Sequence, residues 1–129
     1  MESNTSIIEW AARQASTLIS PLGERWLHTK GVVERAQQIG GVFDEDSCAL
    51  LVAAAYVHDI GYAPELQVTG FHPLDGAYYL LLHNQERLAS LVAYHSEAQF
   101  EAELRGLAAQ LNTIPHEHST IADALTYCI

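Results

Sequence analysis

The sequence predicts an all-α fold, arranged as a single compact helical bundle. Apolar residues recur at helical spacing over most of the chain, and no alternating pattern of useful length indicates a strand. No internal repeat, low-complexity tract or linker divides the sequence. The length of 129 residues corresponds to one domain, since domains usually have about 100–150 residues. We therefore expect residues 1–129 to form one domain.

The first two helices are predicted on either side of Pro21. Apolar residues recur at helical spacing over residues 7–19, and Pro21 ends that run. The second helix is predicted over residues 22–39. Gly40 and Gly41 end it, because glycine is favoured just past the last turn of a helix.

The third helix is predicted to be the buried centre of the bundle. Asp44 is a favourable N-cap, because its carboxylate can accept a hydrogen bond from a backbone N–H of the first turn. Residues 47–57 are apolar on nearly every side of a helix, which is typical of a helix enclosed by others. The small residues at 53–55 would let neighbouring helices approach closely.

Four further helices are predicted in the second half of the chain. The fourth begins near Pro73, because proline is favoured in a first turn, and the fifth covers about residues 85–94. A sixth is predicted over about residues 97–111. The last begins at Ser119, a second candidate N-cap.

The charge of the chain limits the partners that we expect. Six Lys and Arg against sixteen Asp and Glu give a formal net charge of −10, which argues against a nucleic-acid polymer. A small phosphorylated molecule or nucleotide stays open, since local arginines or metal ions can offset the global charge. Apolar stretches near the N-terminal helix could support a homodimer.

Three features favour a cytoplasmic location. Cys48 and Cys128 have apolar neighbours and form no CxxC pair, so we expect buried free thiols in a reducing compartment. No stretch reaches the ~18 consecutive apolar residues of a membrane span. The first four residues lack the basic region that is typical of a signal peptide.

His58 and Asp59 lie side by side at the carboxyl end of the predicted central helix. Two ionisable side chains are costly to bury there unless they are paired or bound to a metal ion. We expect the helix to end at this point, with Gly61 supplying the backbone freedom that turns both side chains towards one ion. His28 and Asp123 also lie between apolar neighbours and are expected to face the core.

These four groups predict a metal site built from three helices. Two imidazoles and two carboxylates suit a divalent ion such as Mn, Fe, Co, Ni, Zn or Mg. His72 and His95 adjoin the fourth and fifth helices and would complete a dinuclear centre, with Asp59 as the bridge. Taken singly, each of these two histidines is more often a hydrogen-bonded core residue than a ligand. Three further histidines lack apolar neighbours and are expected to be exposed: His83, His116 and His118.

Five sequence segments carry the candidate ligands. They are RWLHTKGVVERA, AAAYVHDIGY, FHPLDGAYYLL, LVAYHSEA and IADALTY, and they contain, in that order, His28, His58 with Asp59, His72, His95 and Asp123. The second segment has the form HDIG. The order of these motifs resembles the HD superfamily of metal-dependent phosphohydrolases over about residues 25–129.

The resemblance implies a bundle of five to seven helices around a metal centre. In one branch of the superfamily four ligands hold one metal ion, and in a six-ligand branch two ions are held, often iron or manganese. All six positions are filled here, so the resemblance favours two divalent ions. Two departures are Tyr62, where many relatives have lysine, and Ser96, where the cyclic-dinucleotide branch has the second of two paired histidines.

The activity that the resemblance implies is hydrolysis of a small phosphorylated metabolite or nucleotide by metal-activated water. Asp59 would orient the nucleophile beside His58. Arg25, one helical turn before His28, would pair with a phosphate or, equally, with a buried carboxylate. Asp75 is expected to cap the fourth helix, with contact to a metal ligand as the alternative.

Two other functions stay open from the sequence. Some six-ligand relatives are di-iron oxygenases, and the ligand set does not separate them from hydrolases. The third alternative is a non-catalytic binding or signalling module, although degenerate members of the superfamily usually lose the HD pair.

Overall fold

Residues 4–129 are described by the computed structural model, and within that range every regular element is a helix. The predicted all-α fold is therefore confirmed. The α-helices are α1 (Asn4–Ile19), α2 (Glu24–Ile39), α3 (Glu45–Val57), α4 (His72–Leu82), α5 (Glu86–Ala93), α6 (Ala98–Leu104), α7 (Ala108–Leu111) and α8 (Thr120–Cys128). Short 3₁₀ turns follow several of them, including Ile60–Tyr62 after α3 and His95–Glu97 after α5.

Helix α3 lies at the centre of the bundle and contacts α1, α2, α5 and α8. It begins after Asp44, whose carboxylate accepts a hydrogen bond of 2.7 Å from the backbone N–H of Ser47. Residues 51–55 and Val57 are buried, as expected for a helix that is apolar on nearly every side. His58 directly follows this helix, and its side chain has no exposed surface.

The core extends from α3 into the surrounding helices. Ile19 of α1, Leu74 of α4, Leu88 of α5 and Leu125 of α8 are almost fully buried. Both cysteines are free, as predicted, but Cys48 is only partly buried whereas Cys128 is buried. Within residues 4–129, no helix combines the length and the apolar character that crossing a membrane requires.

The predicted helix over residues 97–111 is wrong in its extent. The structure divides this segment into α6 and α7, separated by Gly106 with φ of +74°. This left-handed conformation is readily adopted by glycine and ends a helix. Ser96 and Glu97 also have positive φ values, 52° and 59°, so the chain changes direction between His95 and α6.

Gly61 lies where the turn after α3 meets the first turns of α4. A Cβ atom at this position would overlap the backbone carbonyl of His72 and crowd the backbone nitrogen of Gly76. Gly61 is not among the glycines with positive φ, so the expectation that it supplies backbone freedom is wrong. Its small size instead lets the backbone of α4 approach closely, which brings His72 to the carboxyl end of α3.

Candidate metal centre

Five of the six side chains predicted as ligands converge at the carboxyl end of α3. His28 comes from α2, His58 and Asp59 follow α3, His72 begins α4, and His95 follows α5. They form two groups of three that share Asp59, and within each group the potential ligand atoms lie within 4.8 Å of one another. Each group could hold a metal ion.

The carboxylate of Asp59 lies between the two groups and presents one oxygen to each. Its Oδ2 atom lies 3.4 Å from Nε2 of His58 and 3.9 Å from Nε2 of His28. Its Oδ1 atom lies 3.3 Å from Nε2 of His72 and 3.8 Å from Nε2 of His95. With its oxygens divided in this way, the carboxylate could contribute a ligand to a metal ion in either group.

Backbone hydrogen bonds orient the two most deeply buried imidazoles. Nδ1 of His58 lies 2.7 Å from the carbonyl oxygen of Ala55, and Nδ1 of His95 lies 2.5 Å from that of Val92. Because a carbonyl oxygen can only accept a hydrogen bond, each Nδ1 donates its proton. In the neutral imidazole, Nε2 then directs a lone pair towards Asp59, and hydrogen bonding at the other ring nitrogen is typical of metal-binding histidines.

Among the described residues, the only Lys or Arg side chain within 4.0 Å of the buried Asp59 carboxylate is Arg25, at 3.6 Å, and that side chain is 46% exposed. Nε2 of His58 is buried and has no hydrogen-bond partner. Lone pairs of neutral imidazoles beside a buried carboxylate repel it, and buried charges are stable when they are paired or bound to metal. A divalent cation between these atoms would remove both deficits. The residues present therefore fit a metal ion.

The pKa values of Asp59, His95 and His28 favour the protonation states in which these side chains bind metal ions. Burial raises the pKa of Asp59, but its contacts with His58 and His72 outweigh that effect and hold the pKa well below its usual range. Burial lowers the pKa of His95 to about 3 and also lowers the pKa of His28. An ionised carboxylate and neutral imidazoles are the forms in which these groups bind metals.

Arg25 contacts both the carboxylate and a neighbouring aromatic ring. Its Nη1 atom lies 3.6 Å from Oδ2 of Asp59, and its guanidinium carbon lies 3.9 Å from the ring centre of Tyr62. Tyr62 in turn stacks on His72, with 4.0 Å between ring centres. Of the two partners expected for Arg25, the structure contains the buried carboxylate. The side chain is still 46% exposed, so it can also meet a ligand.

Asp75 holds the loop before α4 rather than capping that helix, so the expected cap is wrong. Its buried carboxylate accepts hydrogen bonds from the backbone N–H groups of Val68, Thr69 and Gly70, at 3.2, 2.9 and 3.0 Å. The hydroxyl of Thr69 donates a further bond of 2.7 Å. Asp75 lies within α4, and its carboxylate therefore fixes the loop that leads into His72.

The sixth predicted ligand, Asp123, is not brought to this cluster, and the expectation that it faces the core is wrong. Its side chain is exposed. The buried face of α8 consists of Ile121, Ala124, Leu125 and Cys128. Since helical residues turn by about 100° each, position 123 points away from that face. The helical phase of the apolar residues was the signal that could have indicated this.

Asp123 instead lines an open groove of about 960 Å³ that reaches His95. His116 and His118 are exposed, as predicted, but they form a wall of this groove together with Tyr94. The ring of His116 stacks on that of Tyr94, with 4.0 Å between centres and 5° between planes. Sequence reasoning missed this wall, because nothing in the spacing of these residues indicates that the loop before α8 folds onto α5.

Comparison with known proteins places these features in a family. The family model described as HD domain matches residues 25–127, which is most of the chain and includes all the residues of the cluster. Neither the curated proteins nor the solved structures give a significant match. The matched range begins at the helix that carries His28 and ends in α8. The chain belongs to the HD domain family.

Proposed function

We propose that this protein is a phosphohydrolase with two divalent metal ions, acting on a small phosphorylated metabolite or nucleotide. The observation that carries the proposal is the position of Asp59 between two pairs of imidazoles. In this proposal His28, His58 and Asp59 would hold one ion, and Asp59, His72 and His95 would hold the other.

When bound, divalent ions supply Lewis acidity that activates water and polarises a phosphoryl oxygen. The chain itself holds the site in place. The backbone bonds of His58 and His95 fix their rings, so that little reorganisation is needed during the reaction. Arg25 is the one cationic side chain within 4.0 Å of the Asp59 carboxylate among the described residues, and its exposed part would bind a non-bridging phosphate oxygen.

The choice of metal bears on the competing oxygenase function. Four imidazoles and one carboxylate form a nitrogen-rich donor set, which suits iron, zinc or nickel better than magnesium. Manganese remains compatible through the carboxylate. Because iron would permit oxygen chemistry as well, a di-iron oxygenase is the second candidate.

The test is phosphate release by protein reconstituted separately with Mn and with Fe, with and without oxygen. We expect release from phosphate monoesters that does not depend on oxygen. Asp59→Asn should lower the rate by more than about a hundredfold, since even changes beside metal ligands cost about 10- to 100-fold. The matched control, Glu34→Gln, removes an exposed charge from α2 and should leave the rate unchanged.

Two outcomes would overturn the proposal. Oxygen consumption on an organic substrate without phosphate release would assign the oxygenase function instead. Equal phosphate release by wild type and Asp59→Asn would show that the hydrolysis comes from a contaminant or from another site.

A further inference from the structure

The groove beside the metal centre has the size of a small-molecule site. Its volume is about 960 Å³, and ligand pockets commonly have about 300–1,000 Å³. It lies between α5 and α6 on one side and α8 with the loop before it on the other. His95 lines it, and the same residue lines a smaller cleft of about 70 Å³ that also contacts His72. The groove therefore adjoins the candidate metal centre.

The wall formed by the loop before α8 is anchored rather than loosely placed. The hydroxyl of Tyr94 lies 2.9 Å from the carbonyl oxygen of Leu111 and 2.7 Å from that of Ile114. Its ring stacks on His116, whose ring centre lies 4.0 Å from that of His118. These contacts hold two imidazoles on the surface of the groove.

The charges around the groove have one sign. Glu97, Glu103 and Asp123 line it, and no ion pair within residues 4–129 involves any of them. A fourth carboxylate, Glu117, is neutralised by Arg87 at 2.8 Å. None of the lining residues is Lys or Arg. Like charges that line a concave surface concentrate their field, so the groove attracts cations and repels anions.

We propose that the groove holds the alcohol part of the substrate and that this part carries an ammonium group. The substrate class is thus a phosphate monoester of an amino alcohol, an inference that rests on the proposed phosphohydrolase function. The phosphate group belongs at the metal centre, where Arg25 supplies positive charge. The ammonium group belongs beside Glu97, Glu103 and Asp123, whose charges disfavour substrates with a polyphosphate or carboxylate tail.

The groove is tested first by itself, with probes that carry no phosphate. Benzylammonium, benzyl alcohol and benzoate have similar size and differ in charge, and their binding to metal-loaded protein is measured by calorimetry and by the NMR signals of His116 and His118. We expect benzylammonium to bind about tenfold more tightly than benzyl alcohol, since each exposed ion pair contributes about two- to fivefold. Benzoate, which a metal ion can also bind, should cause the smallest changes in the NMR signals of His116 and His118.

Two variants test whether the preference for benzylammonium arises in the groove. Glu103→Gln should weaken benzylammonium binding about two- to fivefold and leave benzyl alcohol binding unchanged. Glu34→Gln removes an exposed carboxylate that does not line the groove, and it should change neither. Equal binding of the three probes, or equal effects of the two variants, would overturn the proposal.

The kcat/KM values of two phosphate monoesters then distinguish the proposed substrate class from the proposed hydrolase function. 2-Aminoethyl phosphate and propyl phosphate have nearly the same shape, and we expect a higher kcat/KM for the first that decreases in Glu103→Gln. If both esters are hydrolysed equally, the substrate class is wrong and the hydrolase function stands. If neither ester nor any other phosphate monoester is hydrolysed while benzylammonium is still preferred, the hydrolase function fails and the groove remains a site for cations.

Discussion

At the scale of single residues, the candidate site depends on which ring nitrogen of His58 and of His95 faces Asp59. The carbonyl oxygens of Ala55 and Val92 accept hydrogen bonds from Nδ1–H of His58 and His95, which leaves each Nε2 facing Asp59. Burial also lowers the pKa of His95 to about 3. This ring is therefore neutral near pH 7 and keeps the Nε2 lone pair with which it could bind a metal ion.

Arg25 gives a prediction at this scale. Arg25→Met should lower kcat/KM for a phosphate monoester about tenfold, because a charge-assisted hydrogen bond contributes about 1.5–3 kcal/mol and this one is partly exposed to water. Metal content should stay at the wild-type value. Steady-state kinetics and elemental analysis measure the two quantities.

The control for this variant is Arg13→Met on α1. Arg13 is exposed and forms no ion pair with the cluster, so its loss should change neither quantity. If Arg25→Met lowered the metal content and left kcat/KM per bound metal unchanged, Arg25 would serve to position Asp59 rather than to bind phosphate.

At the scale of secondary structure, the site depends on the close approach of α4 to the turn after α3. Gly61 and Gly76 face each other there, and a Cβ on Gly76 would lie 3.3 Å from the backbone nitrogen of Gly61. Asp75 holds the preceding loop through its hydrogen bonds to residues 68–70. These two features together fix His72 beside Asp59.

Gly61→Ala tests this packing. The added methyl group would overlap the carbonyl of His72, and such overpacking costs about 1–3 kcal/mol. We expect the free energy of unfolding in urea to fall by about this amount. We also expect weaker retention of one metal ion, because His72 must move.

Gly41→Ala is the matched control. A Cβ at Gly41 would meet no atom within 4 Å, so this variant should be at least as stable as the wild type and should keep its metal. Wild-type stability and metal content in Gly61→Ala would show that the approach of α4 is not tight in solution.

At the scale of the whole molecule, the sequence predicts the parts that depend on local pattern. The apolar run of α3 and the N-caps Asp44 and Ser119 are confirmed, because periodicity and capping act within a few residues. The sequence did not predict the break at Gly106 or the wall formed by His116 and His118. The break follows the same preference for glycine at a helix end that predicted the end of the second helix, so Gly106 was a local signal for it. The wall depends on contacts between segments distant in the chain, which leave no local pattern.

The residues of the candidate site also differ in how well the local sequence pattern predicted their positions. His58 and Asp59 could be singled out because they end a helix that is otherwise apolar. His28 was indicated by its apolar neighbours, His72 and His95 by their places beside predicted helices, and the HD order then supported all three. The structure brings these five together. Asp123 was indicated by its apolar neighbours and by the HD order, but the phase of α8 turns it outwards. A correct motif thus does not guarantee the direction of a side chain.

The number of metal ions bound per chain tests the central claim most directly. Elemental analysis of reconstituted protein should give two ions for the wild type, one for His72→Ala and none for Asp59→Ala, because Asp59 alone belongs to both groups. His118→Ala, which removes an exposed histidine outside the cluster, should keep two. If His72→Ala also retained two ions per chain, the dinuclear centre bridged by Asp59 would be wrong.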